Sequence, residues 1–211
     1  MPRKPASQQG DTVRDIREAA FVLFGRYGYD GVSIGDIAAA AGLSKGALYW
    51  HFSGKTDLFL DCLKRLHRIF EECIFTPMQN EPHPGKRIIL MFRGVGTMLE
   101  NPRVTEGVGG FWLGANSTRM SEVQTVQRAF ERRTARVIRD TLAEGTEQGL
   151  FNLHDDIDAM SHATIAVMEA IILPLRHQSA EEAHQILGVL ARTVFRAYGT
   201  SEDVAAMADR F

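Results

Sequence analysis

Apolar residues recur at three- and four-residue steps along almost the whole chain, and this spacing is the feature that most restricts the fold. In the N-terminal part the pattern is carried by Val13, Ile16, Ala20, Leu23, Phe24 and Tyr27. Residues at this spacing fall on one face of an α-helix. No segment shows the two-residue alternation that is typical of a half-buried strand. The sequence therefore predicts an all-α fold with about nine helices.

Turn-forming residues divide the N-terminal part into short helices. Gly28 and the pair Asp30-Gly31 favour the end of the first helix and a turn after it. Ser33 can cap a second helix, with Asp36 three residues later as in a capping box. This second helix is predicted over residues 34–41.

The second and third helices meet at a tight turn that contains glycine. Gly42 supplies the left-handed backbone of such a turn at low cost, and Ser44 can cap a third helix over about 44–51. Two short helices joined in this way form the layout of a helix-turn-helix. The predicted packing residues are Ile37, Ala38, Ala41, Leu43 and Leu48.

The outward face of the third helix carries groups that can reach base edges and phosphates. These are Lys45, Ala47, Tyr49 and His51. Ser44 stands at the positive end of the helix, where a phosphate is favoured. Trp50 and Phe52 have rings that can stack on bases. Their spacing from Leu48 favours packing roles instead.

Longer helices are predicted in the rest of the chain. Their approximate ranges are 55–75, 85–99, 103–116, 122–147, 156–173 and 180–198. We divide the chain into a disordered arm over 1–11, a helix-turn-helix domain over 12–55 and a helical body over 56–211. The arm is polar and holds two Pro and one Gly, a composition typical of disorder.

Charge favours a nucleic-acid partner only weakly. Residues 1–55 hold seven Lys or Arg and five Asp or Glu, whereas the whole chain has a net charge of −2. The sign of this asymmetry suits a DNA-binding head on an acidic body. Two cysteines, Cys62 and Cys73, are too few for a disulfide scaffold and fit a reducing cytoplasm. With no apolar run of roughly 18 residues, neither a membrane span nor a signal peptide is expected.

No arrangement of residues points to catalysis, a metal or a cofactor. The run His154-Asp155-Asp156-Ile157-Asp158 superficially resembles a metal cluster, but helix capping accounts for its carboxylates. The run Gly107-Val108-Gly109-Gly110 lacks the Gly-Lys-Ser/Thr of a phosphate-binding loop. We therefore predict that the chain is not an enzyme, has no metal site and needs no cofactor.

Residues 31–59 resemble the DNA-binding signature of the TetR family of transcription regulators. The segments Tyr49-Trp50-His51-Phe52 and Lys55-Thr56-Asp57-Leu58 are the most telling parts. The resemblance covers roughly 12–62, and the body resembles the family only in length and helix layout. It implies a three-helix DNA-binding head and a larger helical body that binds a ligand and dimerises.

The resemblance also implies roles for single residues. The DNA-contacting set would be Ser33, Ser44, Lys45, Gly46, Ala47, Tyr49, His51 and Lys55. Ser33, His51 and Lys55 would bind phosphates, and Tyr49 would contact the DNA backbone or a thymine methyl. Gly35 stands where some members carry a basic residue that reads a base, so its own side chain can supply no readout.

For the body, the resemblance implies a homodimer formed through about 156–173 and 180–198. It also implies an effector cavity among helices 4 to 8. Large, adaptable apolar side chains suit a largely apolar small molecule, although each can equally be ordinary core. The candidates are Phe70, Met91, Phe92, Met98, Phe111, Trp112, Phe130 and Met168.

Glu169 is the one charge within the apolar stretch 163–173. A buried carboxylate must be paired or protonated. Glu169 can therefore anchor a cationic or hydroxylated effector, or it can pair across the dimer with a basic residue such as Arg192. The sequence leaves both alternatives open.

The function implied by the resemblance is a cytoplasmic repressor that a small molecule releases from a palindromic operator in double-stranded DNA. An activator, or a regulator without an effector, fits the same sequence. An all-helical enzyme with a relic head is disfavoured because no catalytic arrangement is visible. A binder indifferent to sequence is disfavoured by the weak positive charge, since such binding rests mainly on phosphate neutralisation.

Overall fold

The computed structural model describes residues 6–115 and 121–210, with side chains described over 11–111 and 121–209. These residues form α-helices, short turns of other helix types and a single isolated β-bridge between Phe151 and Gly199. The α-helices are α1 (Ala6–Tyr27), α2 (Ile34–Ala40), α3 (Lys45–Tyr49), α4 (Lys55–Phe70), α5 (Thr76–Asn80), α6 (Pro84–Leu99), α7 (Pro102–Ala115), α8 (Ser121–Glu147), α9 (Ile157–Leu175), α10 (Ala180–Tyr198) and α11 (Glu202–Ala205). The predicted all-α class is confirmed.

All nine predicted helices are present among the described residues, and the short α5 and α11 add to them. A π-helical segment, Glu71–Phe75, joins α4 to α5, and a 3₁₀ turn, Ala206–Arg210, follows α11. Helix α1 begins at Ala6, whereas the apolar pattern indicates a start near residue 12. Residues 6–11 carry no apolar stripe, so the hydrophobic period could not reveal this first part of the helix.

Two prolines lie within helical segments where a stop was predicted. Pro77 is the second residue of α5, which follows the π-helical segment without a break. Pro174 is the next-to-last residue of α9, so the helix runs one residue beyond it. Both helices therefore extend slightly further than the sequence predicts.

The described residues divide into two compact units. Unit 1 contains the residues up to His67 together with Glu106–Gln127, and unit 2 contains Arg68–Thr105 and the residues from Arg128 onward. The boundary predicted from turn signals lies at 55/56, at the start of α4. Compactness instead places most of α4 and the second part of α7 in the unit that holds the short helices.

The core of unit 1 is aromatic. Phe21, Phe24, Phe59 and Phe111 are buried almost completely. The ring centroids of Phe21 and Phe111 are 5.0 Å apart, and those of Phe24 and Phe59 are 5.1 Å apart at an edge-to-face angle of 85°. Aromatic pairs favour such offset and edge-to-face arrangements. This cluster joins α1, α4 and α7 beneath the short helices.

Unit 2 is built around α6 and α10. A Cβ atom added to Gly94 of α6 would lie 2.3 Å from the carbonyl oxygen of Cys73, so α6 crosses the π-helical segment backbone to backbone. Leu187 and Phe195 of α10 are fully buried. Ser179 caps α10 in a capping box with Glu182, whose pKa is lowered by these hydrogen bonds.

Helix α9 is apolar but only partly covered. By length and composition alone it could cross a membrane, although core helices of soluble proteins pass the same test. It carries Asp158 and Glu169, which is why no uninterrupted apolar run marks it in the sequence. Only 17% of its most apolar window is buried, and Val167 is 52% exposed. An apolar face of this kind usually marks an interaction surface.

Candidate nucleic-acid interface

The first turn of α2 is fixed by reciprocal hydrogen bonds. The backbone N–H of Asp36 donates to Ser33 Oγ at 3.2 Å, and the backbone N–H of Ser33 donates to the Asp36 carboxylate at 2.8 Å. These bonds lower the pKa of Asp36. The predicted capping box is present, and it leaves the Ser33 side chain exposed at the protein surface.

The turn between α2 and α3 has the predicted left-handed residue. Gly42 has φ +67°, and the backbone N–H of Leu43 donates to the carbonyl of Ala38 at 2.8 Å. Ile37, Ala38 and Leu48 are buried. Since both helices bury their facing sides here, the angle between them is fixed by packing and by the turn.

Helix α3 presents most of the predicted DNA-facing set to solvent. The backbone N–H of Ala47 donates to Ser44 Oγ at 3.2 Å, which caps the helix. Tyr49 is 54% exposed, Ala47 is half-buried and the others on this helix are exposed. The exposed residues of the set are Ser44, Lys45, Gly46, Tyr49 and the following His51.

Trp50 does not pack as the sequence predicts. It is 88% exposed, whereas Leu48 and Phe52 are buried. Residues four apart share a helical face, so burial of 48 and 52 turns position 50 away from the core. The interpretation of Trp50 as scaffold is wrong. An exposed indole therefore lies immediately after Tyr49, on the side of α3 that faces solvent.

Lys55 at the start of α4 is held by an aromatic ring that the sequence analysis did not single out. Its Nζ lies 4.2 Å from the centroid of the Tyr29 ring, within cation–π range. The hydroxyl groups of Tyr29 and Thr56 are 2.8 Å apart and share a hydrogen bond. Tyr29 lies in the turn after α1 and belongs to no helical period, so spacing gave no signal for it.

The geometry of unit 1 thus gathers exposed polar and aromatic groups on α3 and places Ser33 and Lys55 at the starts of the two neighbouring helices. Residues 16–62 match the family model described as bacterial regulatory proteins, tetR family. The HTH-type transcriptional regulator AcrR of Shigella flexneri is 44% identical over 59 residues, which are 28% of this chain.

Residues 16–62 therefore carry the N-terminal head that is typical of the TetR family.

Two further comparisons extend beyond the head. The HTH-type transcriptional repressor KstR of Rhodococcus jostii is 26% identical over 145 residues, or 69% of this chain and 67% of that protein. A TetR transcriptional regulator from Chloroflexus aurantiacus J-10-FL superposes with a TM-score of 0.76 at 24% identity, covering 93% of this chain and 100% of that one. This likeness shows the fold alone. The chain spans only 27% of the length of AcrR.

The candidate effector residues do not all lie together. Phe111 belongs to the aromatic core of unit 1. The side chain of Trp112 lies outside the described residues. The other candidates lie in unit 2, where they are buried except for half-buried Glu169: Phe70, Met91, Phe92, Met98, Phe130, Met168 and Glu169.

An aromatic group in unit 2 brings two of these candidates together. The ring centroids of Phe70 and Phe130 are 6.0 Å apart, and those of Phe75 and Phe130 are 6.2 Å apart, both nearly edge to face. Phe75 was not singled out in the sequence because it lies in the π-helical segment, where the helical period shifts. A cavity of about 760 Å³ elsewhere in unit 2, lined by α6 and the C-terminal turn, contains none of the candidates.

Glu169 is half-buried and carries an unusual proton affinity. Burial, followed by repulsion from Glu131, raises the pKa of Glu169 to about 7. Among the described side chains of the single chain, Glu169 forms no ion pair, and its pairing with Arg192 across a dimer stays a prediction. The carboxyl group is therefore protonated in part near neutral pH.

Proposed function

We propose that this chain is a DNA-binding transcription regulator that reads its operator with α3. One observation carries the proposal: α3 buries Leu48 against α2 while it turns Lys45, Tyr49 and Trp50 outward. The major groove of B-DNA, about 12 Å wide, admits a helix presented in this way. Because the packing side of α3 is already used within unit 1, its outward side is free for a partner.

The roles of the single residues follow from their chemistry. Lys45 is an exposed donor that can bind guanine, and the Tyr49 ring can contact a thymine methyl or the backbone. Ser33, Ser44, Gly46, Ala47, His51 and Lys55 complete the interface, and Ser33, His51 and Lys55 take phosphates. Tyr29 restrains Lys55, which lowers the entropy lost when the ammonium group binds a phosphate.

A homodimer through α9 and α10 completes the proposed assembly. Val167 of α9 is 52% exposed, and Ile186 and Val189 of α10 are 41% and 55% exposed. Burying the same apolar faces of two copies gives a symmetric contact. Two heads joined in this way match the half-sites of a palindrome, whose centres lie about 34–36 Å apart.

The proposed mode of action is repression that a small molecule relieves. The name of the related KstR states that it is a repressor. The aromatic group of Phe70, Phe75 and Phe130 suits a largely apolar effector, and Glu169 suits a polar or cationic group on it. An effector acts only through its different affinities for the DNA-bound and released states. An activator remains the second candidate, because repression and activation use the same operator contacts.

We infer that the chain acts on DNA in the cytoplasm as a regulator and not as an enzyme. The head supports this, because its exposed residues suit DNA and its buried residues form an intact scaffold. A relic head would have no reason to keep both sets. The match of residues 16–62 to the tetR family model supports the same conclusion.

Selection of bound fragments from the genome of the source organism tests this function. The purified chain is mixed with fragmented DNA, and the retained fragments are sequenced. We expect enrichment of one near-palindromic site with half-sites one helical turn apart or a multiple of it. Retention of all fragments in proportion to their abundance would contradict the proposal.

A further inference from the structure

Gly35, in the first turn of α2, lies directly against Lys45 of α3. A Cβ atom added to Gly35 would stand 2.6 Å from Lys45 Cε and 3.1 Å from Lys45 Nζ. The same point is 3.4 Å from Ser33 Oγ. The end of the Lys45 side chain therefore occupies the space that a side chain at position 35 would fill.

The steric clash between a Cβ at position 35 and Lys45 can be relieved by a small movement of the Lys45 side chain. A separation of 2.6 Å between carbon atoms is too short to persist, so one atom must move. Cε and Nζ are the far end of a flexible side chain, whereas the Cβ is fixed by the backbone of α2. A residue larger than glycine would leave the fold intact and send the Lys45 ammonium group elsewhere. The identity of residue 35 thus decides where Lys45 points.

A nearby carboxylate attracts the Lys45 ammonium group but forms no ion pair with it. The Asp36 carboxylate accepts from the Ser33 N–H, and the Lys45 charge also acts on this carboxylate. Among the described side chains, Lys45 forms no ion pair within 4.0 Å. Its three N–H donors are therefore available to a base edge at the surface shared by α2 and α3.

We propose that Gly35 is a specificity-determining position, because it lets Lys45 of α3 lie across the first turn of α2 and read a guanine there. Helix α2 would then set the position of the Lys45 ammonium group, and Lys45 of α3 would contact the base. The inference rests on the proposed function, since it requires α3 to lie in the major groove. It gives Gly35 a positioning role, and the contact itself belongs to Lys45.

The test compares the base preferences of four variants by selection from a randomised operator library. Wild type is expected to prefer guanine at one position of each half-site. Gly35→Ala should weaken that preference by about fivefold or more, the discrimination typical of one good base contact. Lys45→Ala should weaken it at the same position, and Gly35→Ala combined with Lys45→Ala should go no further than Lys45→Ala alone.

Gly54→Ala serves as the matched control, because a Cβ atom there meets nothing within 4 Å and the glycine has no positive φ. Its base preferences should equal those of wild type. Unchanged preferences in Gly35→Ala would overturn the inference while leaving the proposed function in place. Uniform weakening across all sequences, with the salt dependence of log K reduced by about one, would also overturn it, since Lys45 would then bind a phosphate. A wild-type chain that enriches no sequence would remove the proposed function and this inference together.

Discussion

Leu48 and Trp50 lie two positions apart, and one is fully buried while the other is 88% exposed. The sequence analysis assigned Trp50 to packing because of its spacing from Leu48. A helical period shows which positions share a face but not which face is buried. The burial of Leu48 and Phe52 identifies the buried face of α3. The Trp50 side chain, which was predicted to pack, is therefore the one that faces solvent.

Substitution of these two residues should have very different effects on stability. Trp50→Ala should change the free energy of unfolding by no more than about 0.5 kcal/mol, since it removes an exposed side chain. Leu48→Ala should cost about 2–5 kcal/mol because it leaves a cavity between α2 and α3. Urea unfolding of both variants measures the difference. A large loss in Trp50→Ala would mean that the indole packs after all.

Glu169, on the apolar helix α9, makes the stability of the fold depend on pH. Burial raises the pKa of Glu169 to about 7, above the usual value of 4.5. The folded state therefore holds a proton that the unfolded state has already lost between these values. The contribution of Glu169 to stability is complete below pH 4.5 and is lost as the pH rises through about 7.

Glu169→Gln should remove this pH dependence. Above pH 7 the variant should be more stable than wild type by on the order of 1 kcal/mol, a figure reduced for solvent screening of a partly exposed group. At pH 4.5 the two proteins should have similar stability. Urea titrations at both pH values measure this, with Glu147→Gln on the exposed end of α8 as the control. Equal pH dependence in wild type and Glu169→Gln would refute the shift.

At the scale of elements, glycine decides how closely α1 and α7 approach within unit 1. A Cβ atom on Gly110 would lie 2.2 Å from the carbonyl oxygen of Phe24 and 2.5 Å from that of Gly25. One on Gly25 would lie 2.4 Å from the Cα atom of Gly107. The two backbones touch, so the glycine-rich stretch that is hard to interpret in the sequence is a helix crossing.

Gly110→Ala should destabilise unit 1 even though alanine is the better helix former. Its methyl group would meet backbone, which cannot rotate away, and overpacking of this kind costs about 1–3 kcal/mol. Thermal or urea unfolding measures the loss. Gly54→Ala, whose methyl group enters open space, should show no comparable cost. Equal stability of Gly110→Ala and wild type would show that the helices can separate freely.

The sequence predicts the helices well and their junctions poorly. The caps of α2 and α10 each involve residues three positions apart in the sequence. The cap of α2 was predicted from the sequence, and the cap of α10 follows the same local chemistry. The π-helical segment arises where α6 crosses it at Gly94, a contact between residues about 20 positions apart. No local pattern encodes such a crossing. Phe75 was not predicted because the helical period shifts in this segment, and Tyr29 was not predicted because it belongs to no helical period.

At the scale of the whole molecule, the sequence predicts the family and the all-α class but not the division into units. The aromatic cluster of Phe59 and Phe111 joins segments 52 residues apart, which places part of α7 in unit 1. The hydrophobic period of α7 cannot reveal this assignment to unit 1, because the period does not show which helix packs against α7. The exposed apolar faces of α9 and α10 also concern the whole molecule, because the proposed dimer would cover them.

Val167→Glu should weaken the dimer. A carboxylate at the centre of the exposed face of α9 would be desolvated without a partner on self-association. Sedimentation velocity should show a shift from dimer to monomer at micromolar concentration. Ala129→Glu, on an exposed position of α8, adds the same charge outside this face and should leave the dimer unchanged. A dimeric Val167→Glu protein would place the interface elsewhere.

A gel-shift titration on the selected operator tests whether the outward face of α3 reads DNA. Lys45→Ala and Tyr49→Ala should each lower operator affinity by about tenfold or more, with the dimer intact. Arg132→Ala removes an exposed charge from α8 and should bind like wild type. Wild-type affinity in both α3 variants would mean that this face does not contact the operator.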